Sequence, residues 1–227
     1  MDFPFGLHKW LWGLISLVYN GQLGKYGGDT AISVYAVVAS IMTFVIMPAS
    51  GISQGIQPIV GNNFGAGNYK RVMATLYQAS AFSVGITCIV WLIVMFFPEY
   101  ILLAFGATEE MLKVGVVGLR NNFCITPILG FVMLVTAFFQ SIAKPIPSIV
   151  ITFLRQILLL IPFIYLFPLL WGINGIFIAQ PVSDALALLL SVILVVREKR
   201  HLYKMLPALP HRKNDAQLAT AAKLENV

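Results

Sequence analysis

Val72-Met73-Ala74-Thr75-Leu76-Tyr77-Gln78-Ala79-Ser80-Ala81-Phe82-Ser83-Val84-Gly85-Ile86-Thr87-Cys88-Ile89-Val90-Trp91-Leu92-Ile93-Val94-Met95-Phe96-Phe97 contains no charged side chain. A bilayer-spanning helix needs about 20 mainly apolar residues, and this run exceeds that. Hydrocarbon offers no water to an open backbone, so a segment of this kind must satisfy its own N–H and C=O groups as a helix. Five further runs on either side have the same character. We place spans at 6–23, 30–55, 72–97, 114–143, 147–170 and 173–196. The expected fold class is all-α, a polytopic membrane protein of six transmembrane helices.

Whole-chain composition agrees. The 227 residues are 59% hydrophobic and 11% charged, with a mean hydropathy of +0.85. Soluble domains carry about 25% charged residues, so a water-facing surface of this size would lack polar groups to cover it. The net charge of +6 is not spread as a nucleic-acid footprint. Basic residues cluster at span ends and in the segment after Val196, with no basic face interleaved with aromatics. Cys88 and Cys124 lie alone in apolar runs and form neither a zinc pattern nor a disulfide framework. The first apolar run follows Met1-Asp2-Phe3-Pro4 and lacks a small-residue cleavage site, so it reads as a membrane helix rather than a removed signal.

The punctuation between spans is short. Lys25-Tyr26-Gly27-Gly28-Asp29 reads as a turn, Gly61 to Asn68 as a glycine-rich loop, Ala143-Lys144-Pro145-Ile146-Pro147 as a tight reversal and Trp171-Gly172 as another. Pro98-Glu99 and Gly106 to Glu110 bracket a short amphipathic stretch. With the N-terminus inside, the inner ends hold Lys9, Lys70, Arg71, Lys144 and the basic residues from Arg197 to Lys223, against Lys25 and Lys113 outside. The positive-inside rule puts both termini in the cytoplasm of a cell-membrane protein. Residues 201–227 read as a basic, disordered cytoplasmic tail.

Few residues carry chemistry. The loop 61–67 has neither the order nor the ending of a phosphate cradle. Gly51 and Gly55 are one turn apart, a spacing that lets membrane helices touch. Pro48 and Pro58 flank them and would bend or end the helix. Gln54 and Gln57 share a face and suit either an interhelical bond or a wet cavity. Asp184 lies about 16 Å into its span, near mid-membrane. A carboxylate there is costly and faces the bundle interior, either as a proton or cation site or as a structural partner. Arg155, at a matching depth in the preceding antiparallel span, is that partner. Pro181, three residues before Asp184, would loosen its helix locally. Arg120 reads as a snorkelling base or a pathway residue, and Asn20 in the first span joins the pathway candidates. No catalytic motif or metal-ligand cluster is present; the expectation is a protein that is not an enzyme and needs no cofactor.

One stretch names a family. Tyr26-Gly27-Gly28-Asp29-Thr30-Ala31 leads, through the second span, to Pro48-Ala49-Ser50-Gly51-Ile52-Ser53-Gln54-Gly55-Ile56-Gln57-Pro58-Ile59-Val60-Gly61-Asn62-Asn63-Phe64-Gly65-Ala66-Gly67-Asn68-Tyr69-Lys70-Arg71. With Leu154-Arg155-Gln156, Gly172-Ile173-Asn174-Gly175 and Gln180-Pro181-Val182-Ser183-Asp184, this resembles the C-terminal lobe of the multidrug and toxic compound extrusion (MATE) family. The motif residues are Gly51, Gly55, Pro58, Gly61, Asn63 and Gly65. The resemblance implies two six-helix lobes facing a central cleft, and export of cationic or amphiphilic drug-like compounds in exchange for Na⁺ or H⁺. It implies partners in the lipid bilayer, the small-molecule substrate, and an N-terminal lobe or second copy, since one lobe cannot form a cleft. The Na⁺-binding carboxylates that some members carry in the first and fourth spans of this lobe have no counterpart here. A non-transporting accessory lobe and a lipid-linked-sugar flippase are the alternatives.

Overall fold

The computed structural model describes the backbone of residues 3–205 and side chains from residue 13 to residue 204. Every element among the described residues is helical: α1 (Phe3–Gly65), α2 (Tyr69–Phe96), α3 (Pro98–Ala104), α4 (Glu109–Phe123), α5 (Thr126–Ser141), α6 (Pro145–Phe153), a π-helical segment (Leu154–Leu159), α7 (Leu160–Trp171) and α8 (Ile173–Met205). α1, α2, α8 and the continuous rod formed by α6, the π segment and α7 are each long and apolar enough to cross a bilayer, and α4 with α5 is so as a bent pair.

α1 is two limbs joined at one residue. Gly28 has φ 61° and ψ −159°, a conformation open essentially to glycine alone. Tyr19 and Tyr35 stand sixteen residues apart, which is about 24 Å along an unbroken helix. Their rings instead stack with centroids 4.4 Å apart, so the limbs fold back side by side. The turn expected over Lys25 to Asp29 is therefore compressed into Gly28, with helix on both sides. Gly172 (φ 55°, ψ −139°) makes the corresponding reversal between α7 and α8.

Several expectations need correction. The second limb does not end near Gly55: it passes through Pro48 and Pro58 and stops at Gly65, leaving only residues 66–68 as the loop. α8 is likewise continuous across Pro181, expected only to loosen it locally. Membrane helices tolerate proline because neighbours and local adjustment satisfy the freed backbone groups.

The fourth span is not one rod. α4 and α5 meet at a 43° bend across Cys124 and Ile125. Pro127, in the first turn of α5, lacks the N–H that would continue the ladder. One α2 side chain takes up a carbonyl at the break: Trp91 Nε1 donates to Cys124 O at 3.2 Å, while Thr87 Oγ1, 3.3 Å from Pro127 O, lies nearer its own helix's Ser83 and Val84 carbonyls at 3.0 Å. At the start of α4, Thr108 Oγ1 accepts from the Met111 N–H, and Glu109 and Glu110 sit at the positive helix end.

α8 extends nine residues past Val196, so residues 201–205 are helical rather than disordered. The rest of the expected tail, 206–227, lies outside the described residues. Lys144 in the α5–α6 reversal pairs with Glu198 at 2.7 Å and pins that turn to the end of α8.

Two apolar cores form. The first gathers Leu23, Ala31, Leu102, Phe123, Ile164 and Phe177 toward the Gly28 and Gly172 reversals. The second gathers Val60, Met73, Phe138, Ile142, Ile151 and Leu202 toward the opposite end. Between them, at mid-height, lie the buried polar residues Asn122, Gln156, Ser183 and Asp184.

Candidate functional site

The polar layer is built by α8 gripping the π segment. Asp184 and Ser183 face the α6–α7 rod from the middle of α8. Arg155 Nη1 donates to Asp184 Oδ1 at 3.0 Å, with side-chain exposures of 16% and 7%. Gln180, one turn before Asp184, donates its amide to both carboxylate oxygens at 3.1 and 3.2 Å. The Ser183 hydroxyl donates to the carbonyl of Arg155, which also accepts from the Leu160 N–H five residues on, the bond of a π turn. α8 thus holds Arg155 by its backbone and by its side chain. Single π turns inside membrane helices are often found at functional sites.

A cavity of about 140 Å³ adjoins this layer. Its walls are Ile15, Ser16 and Tyr19 of the first limb of α1, Tyr35 to Ile46 of the second, Asn122 of α4, Leu129 of α5, Arg155, Gln156 and Leu160 of the rod, and Gln180 of α8. Tyr19 and Gln156 are buried, and Tyr19 Oη and Gln156 Oε1 have no hydrogen-bond partner among the described residues. Asn122 donates its amide to Phe177 O at 3.4 Å. Ser16 and Ala39, also on the wall, are exposed, so the cavity opens between the limbs of α1.

The outer surface around that mouth differs from the rest of the molecule. Ala36, Ser40, Thr43, Met47, Gly51, Gln54 and Pro58 form an exposed stripe at helical spacing along the second limb, small or polar except at Met47. Gly13, Ser16, Asn20 and Gly24 do the same on the first, interrupted by Leu17. α2 instead presents Phe82, Ile89, Ile93 and Phe96, the large apolar side chains lipid favours. Small and polar residues on a membrane helix suit close approach of another helix.

The expected site residues separate under this geometry. Arg155 and Asp184 meet. Gln54 and Gln57 do not line the cavity: Gln54 is exposed and lies eight residues past the last wall residue of its limb, Ile46. Neither bonds another helix among the described residues, so the interhelical bond weighed for them is absent within this lobe. Gly51 and Gly55 likewise touch nothing: a Cβ added to either would meet no atom within 4 Å. Asn20 and Arg120 are exposed and off the wall. Gly61 packs as expected of a close approach, 3.4 Å from Ser141 O by the same construction. Asn63 Nδ2 donates to Ile59 O at 2.7 Å, a bond within its own helix. Gly65 ends α1 and Pro58 is exposed within it.

Sequence reasoning missed Gln180, Ser183, Gln156, Asn122 and Tyr19. Gln180 carried a usable signal, a side chain four residues before a buried carboxylate on one helix. Among the described residues no group of His, Cys, Asp and Glu is placed to hold a metal ion.

Comparison with known proteins decides the family. The family model described as MatE matches residues 4–166. The chain belongs to the MatE family. Members of the MatE family are membrane transporters. This MatE lobe is 23% identical over 193 residues to the multidrug export protein MepA of Staphylococcus aureus, across 85% of this chain and 42% of that protein. It is 21% identical over 173 residues to an FAD transporter of Shewanella oneidensis, across 76% of this chain and 36% of that one. Among solved structures, an outward-facing multidrug resistance MATE transporter superposes with a TM-score of 0.82 at 19% identity, over 89% of this chain and 46% of that one. The MATE multidrug transporter DinF-BH superposes at 0.70 with 31% identity, over 85% and 46%. The chain therefore spans under half the length of the relatives it matches, and its fold is that of one MatE lobe.

Proposed function

We propose that this MatE chain supplies one lobe of a secondary active efflux antiporter of the cell membrane. In this reading the α1 face meets a second six-helix lobe, either an N-terminal half or a second copy. The two lobes rock about the cleft between them, exporting cationic or amphiphilic drug-like compounds in exchange for Na⁺ or H⁺. Both termini lie in the cytoplasm, where the inner basic residues favour them. No step of this cycle makes or breaks a covalent bond, so the protein is not an enzyme.

The observation that carries the reading is a cavity beside a buried ion pair that opens on a mostly small and polar face, exposed among the described residues. Lipid solvates such a face poorly, and a second lobe would cover it. The test is dye efflux from cells expressing residues 1–227 alone, beside cells also expressing a complementary six-helix half. Efflux that requires both halves supports the reading. Full efflux from chain shown to be monomeric refutes the need for a second lobe, and no efflux from an assembled pair refutes the transport reading.

A further inference from the structure

The end of α8 that leaves the bilayer carries a second feature, separate from the cavity and independent of the transport reading. We infer that it is a binding site for one anionic phospholipid, with the acyl chains along α8 and the phosphate on Arg197 and Arg200. Leu186, Leu189, Ile193 and Val196 recur three or four residues apart on α8, and all are exposed among the described residues. That spacing keeps them on one helix face. The same face then changes chemistry within a single turn. Arg197, Arg200, His201 and Lys204 continue it, exposed again, and with Ile193 and Val196 they border one hollow. An apolar strip that ends in a cluster of cations has the polarity of a lipid molecule, chains along one part and phosphate at the other.

Depth agrees. Arg197 and Arg200 follow the mid-height Asp184 by 13 and 16 residues, which is about 20 and 24 Å along the helix. Half a bilayer, headgroups included, is about 20–22 Å. Side chains on a helix lean toward its N-terminus, here back toward the membrane, so both guanidiniums reach the phosphate layer. Lys204, one turn further, can bend down to it. Acidic neighbours do not cancel this charge. Glu198 turns away to Lys144 at 2.7 Å. Lys199 is also turned aside, its Nζ 5.3 Å from the Tyr77 ring centroid and 5.8 Å from that of Tyr203. Tyrosine is enriched at the membrane–water boundary, an independent mark that this level is the interface. From Arg197 to Val227 the sequence holds seven Lys or Arg against three Asp or Glu, so the chain beyond Lys204 does not reverse the sign. Complementing the α8 dipole does not explain the cluster, because that effect fades within the last turn and Arg197 lies two turns before Met205. A guanidinium grips two phosphate oxygens at once, which suits arginine to the headgroup.

The experiment uses the full chain purified in detergent and titrated with phosphatidylglycerol or phosphatidylcholine of matched acyl chains, with bound lipid counted by native mass spectrometry. Phosphatidylglycerol should bind about tenfold or more tightly, since one basic residue beside an anionic headgroup is worth about fivefold. Arg197→Gln with Arg200→Gln should cut that preference about fivefold or more. Lys70→Gln with Arg71→Gln removes the same charge from exposed positions at the start of α2, at the same end of the molecule, and should leave the preference intact. Glycerophosphoglycerol and inorganic phosphate, which lack chains, should not displace the lipid at equal concentration. Equal binding of the two lipids overturns the inference. So does a loss in the Lys70 and Arg71 variant as large as in the Arg197 and Arg200 variant, which would make the effect one of general surface charge. Displacement by either chain-free phosphate overturns the lipid as occupant and leaves a free-anion site. The two-lipid comparison and the displacement need no variant, so they stand if a double substitution does not fold.

Discussion

Breaking the Arg155–Asp184 pair is the most informative perturbation, because the structure separates what the pair does from what surrounds it. Asp184→Asn keeps an acceptor for Gln180 but leaves the Arg155 guanidinium without a counter-charge. Arg155→Gln leaves a carboxylate held only by Gln180. Losing one partner of a buried pair costs about 3–5 kcal/mol, chiefly the expense of the charge left behind. The double variant buries two neutral amides instead and should cost much less than the sum of the single changes. Ser183 donates to the Arg155 carbonyl through groups that none of the three variants removes, so the π segment should stay braced and the cycle should read the side-chain pair rather than a backbone shift. We expect a coupling of about 2–3 kcal/mol, the upper part of the range seen for contacting residues. The assay is reversible unfolding of the purified chain in mixed micelles, with yield of folded protein from membranes as a second readout; exchanging the two charges should recover more folded protein than either single exchange. Additive effects, with a coupling below about 0.5 kcal/mol, would refute the claim that these residues work as a pair.

Gly28→Ala forces a Cβ into a conformation that costs about 1–3 kcal/mol, and should lower folded yield and reduce disulfide cross-linking of cysteines placed at positions 19 and 35. Reporter fusions after Gly28 and after Gly106 should read as external, and one after Lys204 as internal; the reverse pattern would invert the topology. Lys144→Ala removes a pair that is 39% exposed on the lysine side, so its cost should stay within about 1 kcal/mol and shrink further in high salt, as measured by the same unfolding assay.

Which parts of this molecule the sequence disclosed follows from how local their causes are. Charge-free runs reveal membrane helices because the bilayer reads each run separately. Arg155 and Asp184 were paired by depth alone, since two antiparallel neighbours place residues at computable heights. The bend at Cys124 and Ile125 had a local marker in Pro127, yet the apolar run continues across it and hides the break. Nothing in Leu154-Arg155-Gln156-Ile157-Leu158-Leu159 announces a π turn, because its stabilising partner Ser183 is a full helix away. The wall of the cavity draws on residues from Ile15 to Gln180, and no periodicity within one segment reports such a meeting. Gln54 and Gln57 show the limit of polarity alone: a polar residue in a span must avoid lipid, but it can do so by turning inward within one lobe or by facing a second one, and Gln54 is exposed on this lobe.

A reversal confined to a single residue has no slack. Each residue of an α-helix advances the chain by about 100° around its axis, so one residue gained or lost between Tyr19 and Gly28 would swing the whole first limb by that angle. Ser16 and Tyr19 would leave the cavity wall and the tyrosine stack would come apart. The same change within residues 66–68, where the chain has left the helix, can be absorbed as a slightly longer loop. The Gly28 corner therefore acts as the zero mark from which the register of the cavity is counted, and the length of chain on either side of it is as much a part of the site as the side chains are.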